Sequence, residues 1–372
     1  MDHFIEHLEI KNFKSIRELK LYNFKRINLF IGRPNVGKSN LLEALSLFSL
    51  PYIWEGSKKL TDTIRLENLP ELFFEGKFRS DFIKIKNTRL DSTEDEAKVY
   101  FDIIDDVLLI SVKKTKPTFE HPTGDSSVNL FKSQEYSVGN NFKLRNFDTD
   151  YRNLSDNSFT QSIYKGRGVW PLSRKDLDIK PYKFIINKSP NKLIANYLFP
   201  PHGINVAQVL VVIPELRALY AQWFQQYGLE LVIDTASKSL KIQKDMGNGQ
   251  VFQLPYSSVA DTLQRIIYYK TAVASNENSI LLFEEPEAHA YPPYIAEFTQ
   301  EVIRSETNQT FIVTHSPLVV EDMLEDAFDD LAIIMVDFRD GQTVARALTS
   351  EELHEVRRYG MDLFFNGEAY PV

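Results

Sequence analysis

Eight consecutive residues, Gly32-Arg-Pro-Asn-Val-Gly-Lys-Ser39, limit what this chain can fold into more than any other feature. They read GxxxxGK[ST], follow the apolar run Ile27-Asn-Leu-Phe-Ile31 and precede a helix-like segment at 40–48, which Pro51 is expected to end. Ile5, Leu8 and Ile10, then Leu19, Leu21 and Phe24, mark two earlier strand-like segments. A strand, a glycine loop and a helix in this order form a phosphate cradle. Gly32 and Gly37 permit the tight turn, and the helix N-terminus adds positive potential. The backbone amides of Asn35, Val36 and Asn40 complete the candidate loop. Lys38 is placed to reach β- and γ-phosphates, and the Ser39 hydroxyl is placed to bind Mg²⁺. Arg33 and Pro34 are expected only to shape the turn.

A second signal lies far along the chain. The apolar run Ser279-Ile-Leu-Leu-Phe283 ends in Glu284-Glu285-Pro286-Glu287. Two carboxylates at a strand end suit nucleotide hydrolysis. Glu284 would hold Mg²⁺, usually through its water, and Glu285 would orient and polarise the attacking water. The next strand-like run, Thr310-Phe-Ile-Val-Thr314, leads into His315-Ser316-Pro317. An imidazole there can contact the γ-phosphate and report its presence; the plainer reading of His315 is a loop histidine with its bonds satisfied. The candidate catalytic set is therefore Lys38, Glu285 and His315, with Ser39 and Glu284 for the metal.

Leu8-Glu-Ile-Lys-Asn-Phe-Lys-Ser-Ile16, Gly37-Lys-Ser-Asn-Leu-Leu-Glu-Ala-Leu45, Glu284-Glu-Pro-Glu-Ala-His289 and Thr314-His-Ser-Pro317 together resemble the ABC-type ATPases of the SMC, RecF and OLD group. The resemblance is strongest to the OLD-like, AAA-family ATPases of bacterial defence systems, and it covers roughly 1–85 and 200–372. It implies two ATP molecules sandwiched between two heads arranged head to tail, each site borrowing a signature helix N-terminus from the partner. The matching segment here is Tyr256-Ser-Ser-Val-Ala-Asp-Thr-Leu-Gln-Arg265, so Ser257 and Ser258 would be supplied in trans. An ordinary N-capped helix would look the same. Three departures stand out. Val259-Ala260 replaces the usual glycine, Glu284 stands where most of the group has Asp, and no glutamine matches the Q-loop.

The chain has 372 residues, with 43 Lys plus Arg against 51 Asp plus Glu, a net charge of −8. That length suits two domains, or one carrying an insertion. The absence of cysteine excludes disulfides, thiolate metal sites and a cysteine nucleophile. No apolar run approaches the roughly 20 residues of a membrane helix, and the N-terminus lacks a signal-peptide pattern. A soluble cytoplasmic protein with no membrane contact is expected. The charge is unevenly spread: 17 − 18 = −1 over 1–110, 15 − 8 = +7 over 111–200, and 11 − 25 = −14 over 201–372. This basic island defines an expected insertion lobe at 86–200, dividing a head formed by 1–85 and 201–372. Between 142 and 184 basic and aromatic side chains interleave, including Phe142, Arg145, Arg152, Lys165 and Arg167. They would suit a partner protein or DNA, where cations meet phosphates and rings stack on unpaired bases; they would equally form a small β-rich lobe with a solvated basic surface.

The expected fold is α/β: a P-loop NTPase with an ABC-type head, a mixed sheet and an inserted smaller lobe. After His315 the pattern gives a helix at 318–324, a strand pair about Asp340-Gly341 and a helix at 351–365. The metal-binding TOPRIM nuclease domain of OLD nucleases is therefore not expected, and Asp337 and Asp340 read as a solvated hairpin. The resemblance implies a slowly hydrolysing Mg-ATP switch, working as a homodimer in phage defence with a separate nuclease or toxin effector. A RecF-like DNA-binding ATPase in repair or maintenance is the alternative. A third reading is a scaffold that binds ATP and barely turns it over.

Overall fold

In the computed structural model, which describes residues 3–56, 59–78, 81–102, 107–115, 131–138, 141–146, 169–170, 178–186 and 195–372, every position of the strand before the glycine loop is buried. Strands β1 (Ile5–Phe13), β2 (Ile16–Leu21) and β3 (Ile27–Ile31) open the chain, and helices α1 (Lys38–Ser46) and α2 (Leu50–Glu55) follow. Next come β4 (Ile83–Arg89), β5 (Glu94–Asp102), β6 (Val107–Thr115), β7 (Phe131–Val138), β8 (Leu144–Asn146), β9 (Val169–Trp170) and β10 (Ile179–Tyr182). Helices α3 (Val206–Val212) and α4 (Pro214–Gln225) lead to a meander of β11 (Glu230–Asp234), β12 (Ser239–Gly247) and β13 (Gln250–Pro255). The remainder alternates: α5 (Asp261–Ala274), β14 (Ile280–Glu284), α6 (Pro292–Arg304), β15 (Gln309–Val313), α7 (Pro317–Asp326), β16 (Leu331–Arg339), β17 (Gln342–Ala347) and α8 (Ser350–Tyr359).

The central six-stranded sheet has the order β10-β14-β15-β3-β16-β17. Its strands are parallel up to β16, and β17 closes one edge antiparallel. Such a sheet must be covered on both faces, and β3 shows how. Phe30 enters one apolar cluster, while Ile27, Leu29 and Ile31 enter the other. The first cluster lies against α1 and an antiparallel sheet of order β2-β1-β4-β5-β6-β7-β8, with β9 beside β7. Leu41 and Leu45 of α1 join Ile10, Ile85 and Val99 of that sheet with Phe311 and Ile334 of the central one. The second cluster is roofed by helices, with Ile267 of α5, Phe298 of α6 and Val319 of α7 packed on Phe283, Ile312 and Ile333. Period-two alternation in the strands and period-3.6 stripes in the helices therefore build a layered α/β head.

The structure bears out the C-terminal expectations as α7 and the β16–β17 hairpin, but the last helix, expected over 351–365, ends at Tyr359 as α8, because Gly360 in the left-handed conformation (φ 60°) closes it. Asp340 and Gly341 both have positive φ (49° and 77°), the geometry of a two-residue hairpin turn. Thr349 accepts from the Glu352 amide and the Glu352 side chain bonds back to Thr349, a capping box that starts α8. Pro51 does not end the helical run. A 3₁₀ turn at Leu47–Ser49 leads directly into α2, where Pro51 occupies the first turn, a position at which its missing N–H costs nothing.

Described strands tie the segment 86–200 to the rest of the chain. β4 crosses 85/86 and pairs with β1, while β10 pairs with β14 inside the central sheet. Of the interleaved basic and aromatic residues, Phe142 packs on the first cluster and Lys143 is exposed. The side chain of Arg145 and all of Arg152, Lys165 and Arg167 lie outside the described residues, as does most of 142–184. Among the described residues, no helix is long and apolar enough to cross a membrane.

Candidate nucleotide site

Three loops meet at the carboxyl ends of neighbouring parallel strands: the glycine loop after β3, the His315 loop after β15, and the Glu284–Glu287 segment at the end of β14. In open parallel sheets this edge is where ligands bind. Gly32 has no space for a side chain, since an added Cβ would lie 2.1 Å from the Val336 carbonyl oxygen. Gly37 has φ +96°, and its Cβ would lie 2.1 Å from the Thr343 hydroxyl. Asn35 takes the left-handed conformation (φ 62°) at the exposed tip, while Val36 is buried beneath it. Ser39 is the second residue of α1 and half-buried. The Asn40 side-chain amide donates to Ser15 Oγ at 2.6 Å.

Lys38 is 4% exposed, and its ammonium donates to the loop's own carbonyls, Gly32 O at 2.8 Å and Arg33 O at 2.7 Å. Burial lowers its pKa to about 8, with Glu285 pulling the other way. A buried cation bonded to neutral carbonyls, in a loop closed to any added Cβ, fits a polyanion. Glu285 sits beyond the end of β14 at φ 44°, a backbone state that costs a non-glycine residue of order 1–3 kcal/mol. Its amide donates to the Val313 carbonyl at 2.9 Å, which anchors it to β15. His315 Nε2 lies 3.5 Å from Glu285 Oε1. Burial and the Lys38 charge lower the His315 pKa, with Glu285 opposing, so the ring is neutral near pH 7. Lys38, Glu285 and His315 thus lie within one another's electrostatic reach.

Glu284 meets Arg65 Nη2 at 2.5 Å. Arg65 Nε also donates to Glu43 Oε1 on α1 at 3.1 Å, and Lys14 pairs with the other oxygen of Glu43. The four side chains form an alternating chain of charge from the β1–β2 turn to the end of β14. The residues present suit a divalent ion: a carboxylate and a hydroxyl at adjoining loops, with Arg65 balancing the charge of the carboxylate. Sequence reasoning missed Arg65 and Glu43, although Lys14 and Glu43 both lie inside the motif stretches that carry the resemblance.

It also missed a set of hydroxyls. Asn40 donates to Ser15 and Thr343 donates to the Val36 carbonyl (2.8 Å), so the 2.6 Å contact between Ser15 and Thr343 is a donation from Ser15. The relay ties the glycine loop to the β1–β2 turn and the edge hairpin. The hairpin expected to be merely solvated therefore also supports the loop through Thr343, while Asp337 pairs with Arg339 at 3.0 Å as a surface residue should.

Ser257 and Ser258 belong to a 3₁₀ turn at Tyr256–Ser258 and do not cap the following helix. Ala260 occupies the N-cap of α5, so the first amides of that helix have no side-chain cap. Gln264 donates to the Val259 carbonyl at 2.7 Å and holds the turn against the helix. Ser257 lines a cavity with Gln264 and Tyr268 that includes no residue of the glycine loop. A separate cavity beside that loop is lined by Gly32, Arg33, His315 and Phe364, among others.

Residues 27–321 match the family AAA_21, described as "AAA domain, putative AbiEii toxin, Type IV TA system". A stretch of 44 residues is 57% identical to the uncharacterized protein MJECL10 of Methanocaldococcus jannaschii, and 41 residues are 49% identical to an ATP/GTP phosphatase of Helicobacter pylori. These stretches are 12% and 11% of this chain, and span only 20% and 11% of those relatives' own length. Among solved structures, an Smc head bound to the C-winged helix domain of ScpA is similar over 95% of this chain and 99% of its own, at 14% identity and a TM-score of 0.48. A Pyrococcus furiosus Smc head bound to the C-terminal domain of ScpA gives 14% identity and 0.47 over 96% and 99%. With a family match across most of its length and a P-loop head carrying its acidic and histidine loops at one sheet edge, the chain belongs to the AAA_21 family of ATPases.

Proposed function

We propose that this chain is an ATP-binding and ATP-hydrolysing switch that works as a head-to-tail homodimer and acts on a separate effector, a nuclease or toxin, in phage defence. The observation that carries the nucleotide reading is Lys38: a buried ammonium with neutral partners inside a glycine cradle, within reach of Glu285 and His315. In this reading Lys38 holds the phosphates, the amides of Asn35 to Asn40 wrap them, and Glu285 orients and deprotonates water. His315, neutral and 3.5 Å from Glu285, contacts the γ-phosphate. Bound Mg²⁺, held by Ser39 and Glu284, would neutralise charge building on the phosphoryl oxygens. Arg65 would then share Glu284 with the ion.

Supply of Ser257 and Ser258 from the partner head is supported by their separation from the loop's own cavity and by the first amides of α5, which have no side-chain cap. The family's description, which names a putative AbiEii toxin of a type IV toxin–antitoxin system, supports a toxin–antitoxin setting for the switch. The described lysines of the antiparallel sheet are largely committed to carboxylates, with Lys84 on Glu96 and Lys86 on Glu94, which favours a protein partner over DNA for that face.

Steady-state ATP turnover with and without linear duplex DNA, with sedimentation in parallel, tests the proposal. Lys38→Ala should lose ATP binding. Glu285→Gln should bind ATP, turn over roughly 10²-fold more slowly and accumulate as a dimer. Glu285→Gln with undiminished turnover sinks the choice of base. Strong stimulation by DNA would replace the partner-gated switch with a DNA-dependent ATPase.

A further inference from the structure

We propose that Glu287 is a positioning residue that latches the His315 loop to the strand end carrying Glu284 and Glu285. The inference rests on the ATPase reading above and assigns a role to a carboxylate which that reading leaves unused. Glu287 turns back from the Glu284–Glu287 segment and places one oxygen between two donors of the neighbouring loop. Oε1 accepts from Thr314 Oγ1 at 2.8 Å and from the His315 backbone amide at 2.7 Å. Thr314 Oγ1 in turn accepts from the Ser316 amide at 3.0 Å, so the whole turn from 314 to 316 hangs on one carboxylate oxygen. Oε2 is buried and makes no hydrogen bond to another residue.

That arrangement is costly for mere loop packing. A buried polar atom with no donor from another residue carries a desolvation cost. What the carboxyl gains is location: it lies two residues beyond Glu285 and holds the amide of the residue whose ring faces Glu285. The two loops therefore move as one body. Glu285 is fixed to β15 through Val313, and His315 is fixed to the Glu285 segment through Glu287. Cutting the second tie leaves the imidazole free to leave the 3.5 Å approach without touching the phosphate cradle around Lys38. A loss of position on this scale lowers the rate of the chemical step more than it lowers ground-state binding.

Burial raises the pKa of this carboxyl, with the bonds from His315 and Thr314 opposing. Glutamine, with an amide oxygen in the place of Oε1, is therefore a close mimic of its protonated form.

The test compares wild type, Glu287→Gln and Glu287→Ala in three readouts: ATP affinity, kcat for ATP, and amide exchange at His315 followed by NMR. Glu287→Ala should leave ATP affinity within about twofold, lower kcat by about tenfold or more, and lose protection of the His315 amide. Glu287→Gln should restore both the protection and most of the rate. The proposal is overturned if Glu287→Ala keeps full kcat, or if kcat and ATP affinity fall together in step with the folded fraction. It is equally overturned if Glu287→Gln is as impaired as Glu287→Ala, because a shared acceptor would then not be the cause. Wild type without turnover would defeat the ATPase reading, while exchange at His315 would still decide whether the latch exists.

Discussion

Lys38 faces two opposing demands. Its ammonium has left water for a loop of carbonyls, which lowers its pKa to about 8 from an unfolded value of about 10.4. A lysine whose folded pKa is depressed binds fewer protons in the folded state between those two values. Its contribution to stability therefore improves as pH rises from about 8 towards 10.4, and is unfavourable below that window. Phosphate binding asks for the opposite, since only the ammonium attracts the nucleotide. ATP affinity should be flat up to about pH 8 and then weaken by about tenfold per pH unit, as the competent form becomes a minor species. Calorimetric titration of ATP between pH 7 and 9.5 checks this; an affinity unchanged to pH 9.5 would show that Lys38 stays protonated in the free protein.

The glycine loop is held at the level of elements by three segments that are distant in sequence. Thr343 on β17, Ser15 in the β1–β2 turn and Asn40 on α1 form one line of donors ending on the Val36 carbonyl. The Thr343 amide also donates to the Ser15 carbonyl at 2.8 Å, so the edge hairpin is fastened to the turn by backbone as well. Thr343→Val keeps the shape and removes the hydroxyl, leaving a buried carbonyl without its donor. Chemical denaturation should show a loss of about 1–3 kcal/mol, accompanied by weaker ATP binding, and Thr343→Ser should restore both. Equal stability of Thr343→Val and wild type would mean that the relay contributes nothing to the loop. This clamp also marks the limit of what can be read from the chain. The glycine loop, the Glu284–Glu285 strand end and the His315 turn are contiguous strings whose chemistry is local, so the amino-acid sequence alone makes them legible. Thr343 with Ser15, and Arg65 with Glu284, are partnerships across 328 and 219 positions, and no local pattern carries them. Pro51 misleads for a related reason: proline is read as a stop, but here it starts the next helix. The charge contrast is real over 111–200, yet β4 crosses the expected edge at 85/86 to pair with β1, and β10, inside the segment, pairs within the central sheet.

At the scale of the whole molecule, the two large sheets are joined by buried charge as well as by the apolar layer around α1. Arg89 on β4 is 2% exposed and donates to Asp95 on β5 at 2.6 Å and to Asp178, just before β10, at 2.9 Å; it also donates to the His3 carbonyl at 2.9 Å. Lys114 on β6 approaches Asp178 at 3.7 Å. The cluster therefore links the antiparallel sheet to the β10 edge of the central one. Burial alone would raise the Asp178 pKa, but Arg89 and Lys114 outweigh it and hold the carboxyl below its usual range. A carboxylate with a depressed folded pKa contributes stability above its unfolded value of about 3.9, and that stability is lost as pH falls through the folded value. Asp178→Asn leaves Arg89 with Asp95 as its carboxylate partner, so stability at pH 7 should fall by on the order of 3 kcal/mol. Because the variant has already lost the titrating group, its stability should then decline less steeply than wild type below pH 4. Urea denaturation of both proteins at pH 7 and pH 3 separates the outcomes. A gap that narrows towards pH 3 places Asp178 as the ionised tie between the sheets. A gap of equal size at both values would mean that packing at this junction matters and the charge does not.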